Sequence, residues 1–98
     1  MAYEIKWTAI ALEDYHSIIK YLSNEWSLSV AIDFKNIVNR KLNNLSQRPF
    51  SGIKSEKDPD IRSILFTPHN RLYYRILKNT IELLTIIDIR SNPAKNPF

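Results

Sequence analysis

Apolar and charged residues alternate along Tyr3-Glu4-Ile5-Lys6-Trp7, the period of a short strand with one buried face. Thr8 follows as a helix N-cap. Ala11, Tyr15, Ile18, Ile19, Leu22 and Trp26 then recur at the three- and four-residue spacing of one helix face. Glu13, Asp14 and Lys20 fall off that stripe and are expected in solvent. Ser27 is a second N-cap, and Ala31, Phe34, Val38, Leu42 and Leu45 repeat the helical spacing after it. Pro49 ends this helix, because proline disfavours the helical conformation in the residue before it. So little chain separates the two helices that they are expected to form an antiparallel hairpin.

Residues 47–60 read as a loop, with two prolines, the only glycine and a mixed run of charge. Strands are predicted at Ile61–Thr67, Arg71–Leu77 and Thr80–Arg90, the last two joined at Lys78-Asn79, a two-residue hairpin turn. That turn sets Ile76 opposite Ile81, Arg75 opposite Glu82, Tyr74 opposite Leu83 and Tyr73 opposite Leu84. Arg75 against Glu82 is a favourable cross-strand pair. One face then carries Leu72, Tyr74, Ile76, Ile81, Leu83, Thr85 and Ile87 and should pack on the helices. The other, with Arg71, Tyr73, Arg75, Glu82, Leu84, Ile86, Asp88 and Arg90, mixes basic, aromatic and apolar residues and reads as a binding surface. The first strand is expected to join this meander, since alone its edge groups go unmet. The fold class is α+β: β-α-α-β-β-β in one domain over residues 1–98, a helical hairpin on an antiparallel sheet that is mixed at the first strand. Residues 91–98 read as an irregular tail.

Composition narrows the chemistry. The chain has 98 residues, 44% of them hydrophobic and 24% charged, with one glycine and no cysteine. A single domain of this length buries a core without a metal or disulfide staple. The lone Gly52 excludes glycine-rich phosphate loops. The missing cysteines exclude disulfides, thiolate metal sites and cysteine nucleophiles, and they suit a reducing cytoplasm. No signal-like start or membrane-length apolar run is present, so a cytoplasmic protein without membrane contact is expected. The net charge is +4. Residues 1–60 hold eight Lys/Arg and eight Asp/Glu, whereas residues 61–98 hold six Lys/Arg against Glu82 and Asp88. The excess in the second part hints at an anionic or acidic partner.

Several short pieces, taken in order, resemble a known family. They are Trp7, Asp14-Tyr15 and Ile18-Ile19-Lys20-Tyr21-Leu22, then Arg48-Pro49 with Gly52, then Ile61-Arg62. Tyr73-Tyr74-Arg75-Ile76, the run Ile81 to Ile86 and Asp88-Ile89-Arg90-Ser91-Asn92-Pro93 complete the series. Together they resemble the RelE/ParE superfamily of bacterial type II toxins, also met as plasmid stabilisation proteins. The resemblance implies a small toxin neutralised by an antitoxin encoded beside it, with which it could form a hetero-oligomer. RelE-like members cut messenger RNA on the ribosome. ParE-like members poison DNA gyrase. Members that have lost toxicity and only bind an antitoxin are a third class.

RNA cleavage through the 2′-hydroxyl needs a base, an acid and cations around the charged phosphorane. In RelE-like enzymes basic residues and a tyrosine, or a histidine–tyrosine pair, near the last strand do this work. By that resemblance Arg62, Arg75 and Arg90 are the candidate catalytic residues of a ribonuclease, with Lys54 and Lys57 adding positive charge. The tail after Arg90 has neither tyrosine nor histidine, which favours the ParE-like mode. Phe98 there can stack but cannot exchange a proton. Lys54, Lys57, Arg71, Tyr73, Leu84 and Ile86 are the candidate binding residues, suited to an acidic amphipathic partner. Ile10 and Leu28 mark a second apolar surface, on the helices. His69, in a turn, is an imidazole that could serve as a base, whereas His16 is expected in solvent. No metal or other cofactor is expected: Asp14 and His16 do not share a helix face, and Glu56, Asp58 and Asp60 have no histidine or cysteine beside them.

Overall fold

The computed structural model describes residues 2–90 and residue 98. Strand β1 (Glu4–Trp7) leads into helix α1 (Ala9–Glu25) and helix α2 (Leu28–Gln47). A single 3-10 turn (Pro49–Ser51) and a two-residue strand β2 (Ile53–Lys54) precede the meander β3 (Ile61–Thr67), β4 (Asn70–Leu77) and β5 (Thr80–Asp88). The sheet order is β1-β5-β4-β3-β2, with β1 parallel to β5 and all other pairs antiparallel. The α+β class and the mixed first strand agree with the sequence reading.

Both predicted caps form. The Thr8 hydroxyl accepts from the Ala11 amide at 3.2 Å, and the Ser27 hydroxyl accepts from the Val30 amide at 3.1 Å. Thr8 also donates to the Leu83 carbonyl at 2.6 Å, so the start of α1 is fixed to the sheet. The other end of β1 is held as firmly: Ser46 Oγ donates to the Tyr3 carbonyl at 2.6 Å, and the Tyr3 amide to the Ser46 carbonyl at 2.9 Å. One core lies between the helices and the sheet, with Ala11, Phe34, Val38 and Leu42 facing Leu72, Tyr74, Ile81 and Leu83. Tyr15 links the layers, its ring 5.1 Å from Trp7 and 6.1 Å from Phe34.

Four expectations need correction. Residues 47–60 are not all loop, because β2 pairs with Arg62 and Ser63 and adds a fifth strand. The last strand stops at Asp88, short of Arg90. Trp26 is no core residue: it is the C-cap of α1, where the backbone leaves the helix and the periodicity lapses, and its side chain is 70% exposed.

The fourth correction changes a face of the sheet. The register from the turn holds through Tyr74–Leu83, but Tyr73 then lies opposite Thr85, not Leu84. Leu84 is the extra residue of a β-bulge, which reverses the side-chain alternation beyond it. Ile86 therefore pairs with Leu72 and packs in the core, 5% exposed, rather than on the binding face assigned to it. Ile87 moves the other way, opposite Arg71. Asp14, expected in solvent, anchors the bulge: its carboxylate accepts from Thr85 Oγ1 at 2.6 Å and from the Ile86 amide at 3.0 Å. The tail read as irregular falls, at residues 91–97, outside the described residues.

Candidate functional site

The end of the sheet beside the β4–β5 turn holds the densest group of candidate residues. Arg62 is the second residue of β3, and its Nη1 donates to the carbonyls of Phe50 at 3.2 Å and Gly52 at 3.0 Å. Its guanidinium also lies 5.3 Å from the centre of the Phe50 ring, within cation–π range. Tyr74 holds the same segment from below. Its hydroxyl donates to the Pro49 carbonyl at 2.9 Å and accepts from the Gly52 amide at 3.0 Å. Burial pushes the Tyr74 phenol above its ordinary pKa, against the opposing effects of the Gly52 hydrogen bond and the Arg62 charge. Pro49, Phe50 and Gly52 are thus pinned between a tyrosine and an arginine, and the chain enters β2 at a fixed angle.

Lys54, Arg62 and Arg75 line one cleft of about 450 Å³ there, together with Phe50 and Asp60. Arg75 is half-committed, its Nε donating to Glu82 Oε1 at 2.8 Å. The cleft can attract an anion through its cations and offer the exposed Phe50 ring as an apolar wall. Among the described residues no histidine or tyrosine lines it.

The other candidates lie elsewhere. Arg90 follows the end of β5, where it pairs with Asp88 at 3.0 Å and shares a second cleft with Tyr21 of α1. Its hydrogen bonds hold the Asp88 carboxyl below the ordinary carboxylate range and raise its own pKa. Glu82 and Asp88, the partners of Arg75 and Arg90, are six residues apart on β5, about 20 Å of strand. Arg71 donates to Ser63 Oγ at 2.8 Å. Tyr73 is buried at 4% exposure, with the Phe98 ring 5.2 Å away. Leu84 is half-buried at the bulge, and Lys57 is exposed in the loop after β2. The arginines expected to act together thus fall into two sites, Arg62 and Arg75 at one end of the sheet and Arg90 at the other.

The sequence reading missed Phe50 and the exposed helix surface beyond Ile10 and Leu28. Trp26, Leu28 and Ile32 are all exposed, as is Ile10 on α1. An aromatic beside a proline in a loop gave no periodic signal. The N-terminal part of α2 has apolar residues off its buried stripe, and that excess was the available signal. Among the described residues no helix is long and apolar enough to cross a membrane, and no group of three or more histidine, cysteine or acidic side chains could hold a metal ion.

The architecture is that of small bacterial toxins. A structure from the chromosomal ParDE toxin–antitoxin system of P. aeruginosa superposes with a TM-score of 0.74 at 17% identity, covering 89% of this chain and 96% of that one. A mutant of the E. coli toxin RelE in the free state gives 0.63 at 18% identity, covering 94% and 88%. The RelBE2 toxin–antitoxin complex of Mycobacterium tuberculosis gives 0.58 at 20% identity, covering 90% and 99%. No curated protein sequence matches the chain. The family profile for the ParE toxin of the type II toxin–antitoxin system, parDE, matches residues 5–93. The chain belongs to this ParE toxin family and is a toxin of a type II toxin–antitoxin system.

Proposed function

We propose that the protein arrests growth in the ParE-like way, by binding and poisoning DNA gyrase, and that a cognate antitoxin neutralises it in the cytoplasm. The observation that carries this reading is the separation of the arginines. A phosphorane needs its cations around one phosphate. Here Arg75 and Arg90 each sit on a carboxylate at opposite ends of β5. A ligand that only has to be gripped can use both ends. The exposed apolar side chains around the α1–α2 junction, Trp26, Leu28 and Ile32, support an antitoxin partner, since exposed apolar patches mark interaction sites.

A second reading, cleavage of ribosome-bound messenger RNA, draws on one observation. Lys54, Arg62 and Arg75 share their cleft with Asp60, which could take a proton. Pulse labelling after induction of the toxin alone separates the two. The gyrase reading expects early loss of thymidine incorporation and, with purified gyrase, accumulation of cleaved DNA. Early loss of amino-acid incorporation while DNA synthesis continues would replace it by the ribonuclease reading. Arg62→Ala with Arg75→Ala should then abolish cutting.

A further inference from the structure

Tyr73 lies in the middle of β4. Its neighbours Leu72 and Tyr74 belong to the core shared with the helices, so Tyr73 points the other way, away from the helical layer. Ser63 is its cross-strand partner, and Ile61 takes the same face two residues earlier on β3. An antiparallel sheet commonly keeps the face turned away from its core in water. Here Ile61, Ser63 and Tyr73 are only 5%, 7% and 4% exposed. The centre of this outer face is therefore covered.

Phe98, from beyond the last strand, lies against Tyr73. The two rings are 5.2 Å apart and inclined at 53°, within the range that aromatic pairs favour. The Phe98 carbonyl accepts from Ser55 Oγ at 2.7 Å. Ser55 is a firm anchor. Its amide donates to the Ile61 carbonyl at 2.8 Å, and its hydroxyl accepts from the amides of Lys57 at 3.2 Å and Asp58 at 3.3 Å. Phe98 itself is only half-buried, whereas Tyr74 on the opposite face is enclosed completely. Phe98 can therefore leave its place without opening the core between helices and sheet.

We propose that Phe98 is an autoinhibitory cover. Seated on Tyr73, it closes the centre of the face whose mixed residues mark a binding surface, and the toxin grips its target only after Phe98 has lifted. The seat is held by a ring contact and a hydrogen bond from a loop serine. A ligand that brings its own aromatic or apolar group to Tyr73 replaces the ring contact in kind, so Tyr73 stays buried through the exchange. Such a ligand binds the open form alone and shifts the protein towards it. The cover acts in this way whether the target is gyrase or the ribosome.

The test compares the full chain with its Phe98→Ala variant by two readouts. The first is nitration by tetranitromethane, mapped by mass spectrometry, with the exposed Tyr21 and the enclosed Tyr74 as internal references. Tyr73 should react as slowly as Tyr74 in the unaltered chain and at least tenfold faster in Phe98→Ala, with Tyr74 still protected. The second is growth arrest under graded induction, read against the amount of toxin in the cells. Phe98→Ala should arrest growth at a level about threefold lower than the unaltered chain needs. Tyr73 that stays protected in Phe98→Ala would overturn the proposal, because Phe98 would then not be what closes the face. Loss of Tyr74 protection would overturn it too, since Phe98 would be part of the fold and not a removable cover. Arrest that is unchanged, weaker or absent in Phe98→Ala would overturn the inhibitory role. Neither readout depends on which target is struck, so the result stands apart from the choice between gyrase and messenger RNA.

Discussion

Gly52 has an ordinary extended backbone, with φ of −72°, so its identity answers to space and not to conformation. A Cβ there would stand 2.3 Å from the Tyr74 hydroxyl and 2.9 Å from the Ser63 carbonyl. Gly52→Ala must displace a buried ring and break two buried hydrogen bonds, and should cost about 3 kcal/mol in urea unfolding. Tyr74→Phe keeps the ring and loses only the hydroxyl, leaving the Gly52 amide without its partner, for a cost of about 1–3 kcal/mol. Because burial raises the Tyr74 pKa in the folded state, the folded protein holds this proton where the unfolded chain has lost it. That contribution to stability is complete below pH of about 10, the ordinary tyrosine value. It is lost as pH rises through the higher folded value. The alkaline fall in stability should be shallower in Tyr74→Phe. Lys78 is the opposite case. It has φ of 56° in the β4–β5 turn, a conformation costly for a residue with a Cβ. Lys78→Gly should raise stability by about 0.5 kcal/mol, the relief of that strain less the entropy glycine loses on folding.

Among the elements, the bulge in β5 decides which side chains reach the surface. Asp14 lies on α1 and receives the Ile86 amide that the irregular ladder presents. Asp14→Ala leaves that amide and the Thr85 hydroxyl unsatisfied and should cost about 1–3 kcal/mol by thermal or urea unfolding. Asp14→Asn keeps one acceptor and should fall between Ala and wild type. The elements themselves were legible because period and caps agree: Thr8 and Ser27 mark the helix starts, and the stripe from Ala31 to Leu45 is the observed buried face of α2. Register was legible as far as the turn controls it, through Arg75–Glu82 to Tyr74–Leu83. Beyond that point Leu84-Thr85-Ile86-Ile87 contains no glycine or proline, and three of its four residues are apolar, so nothing local tells which side chain turns inward. The deciding contact comes from Asp14, 71 positions away from Thr85. β2 was illegible for a similar reason. Two residues carry no periodicity, and their pairing depends on the arginine and tyrosine that pin the segment before them.

For the molecule as a whole, charged groups that look equivalent in the sequence carry different duties. Arg62 holds two carbonyls of the segment entering β2, so Arg62→Ala should lower stability by about 1–2 kcal/mol. Arg90, itself exposed, pairs with the half-buried Asp88 in a surface ion pair, and Arg90→Ala should leave the unfolding midpoint nearly unchanged. A toxicity assay read beside the unfolding curves sorts the two. Loss of toxicity in Arg90→Ala reports on target binding directly, whereas the same loss in Arg62→Ala counts only to the extent that the protein remains folded. The parallel pairing of β1 with β5 joins residues 4–7 to residues 80–83. During synthesis β1 is made first and β5, its strand neighbour, last of the described strands, with an interval of roughly 4–15 s at ordinary elongation rates. Until β5 arrives, the helical hairpin has no completed sheet to cover, and Ala11, Phe34 and Val38 lack most of the surface that buries them. The layer that closes over the hairpin is thus complete only when residues 80–83 have been made, so the fold cannot finish before synthesis is nearly over.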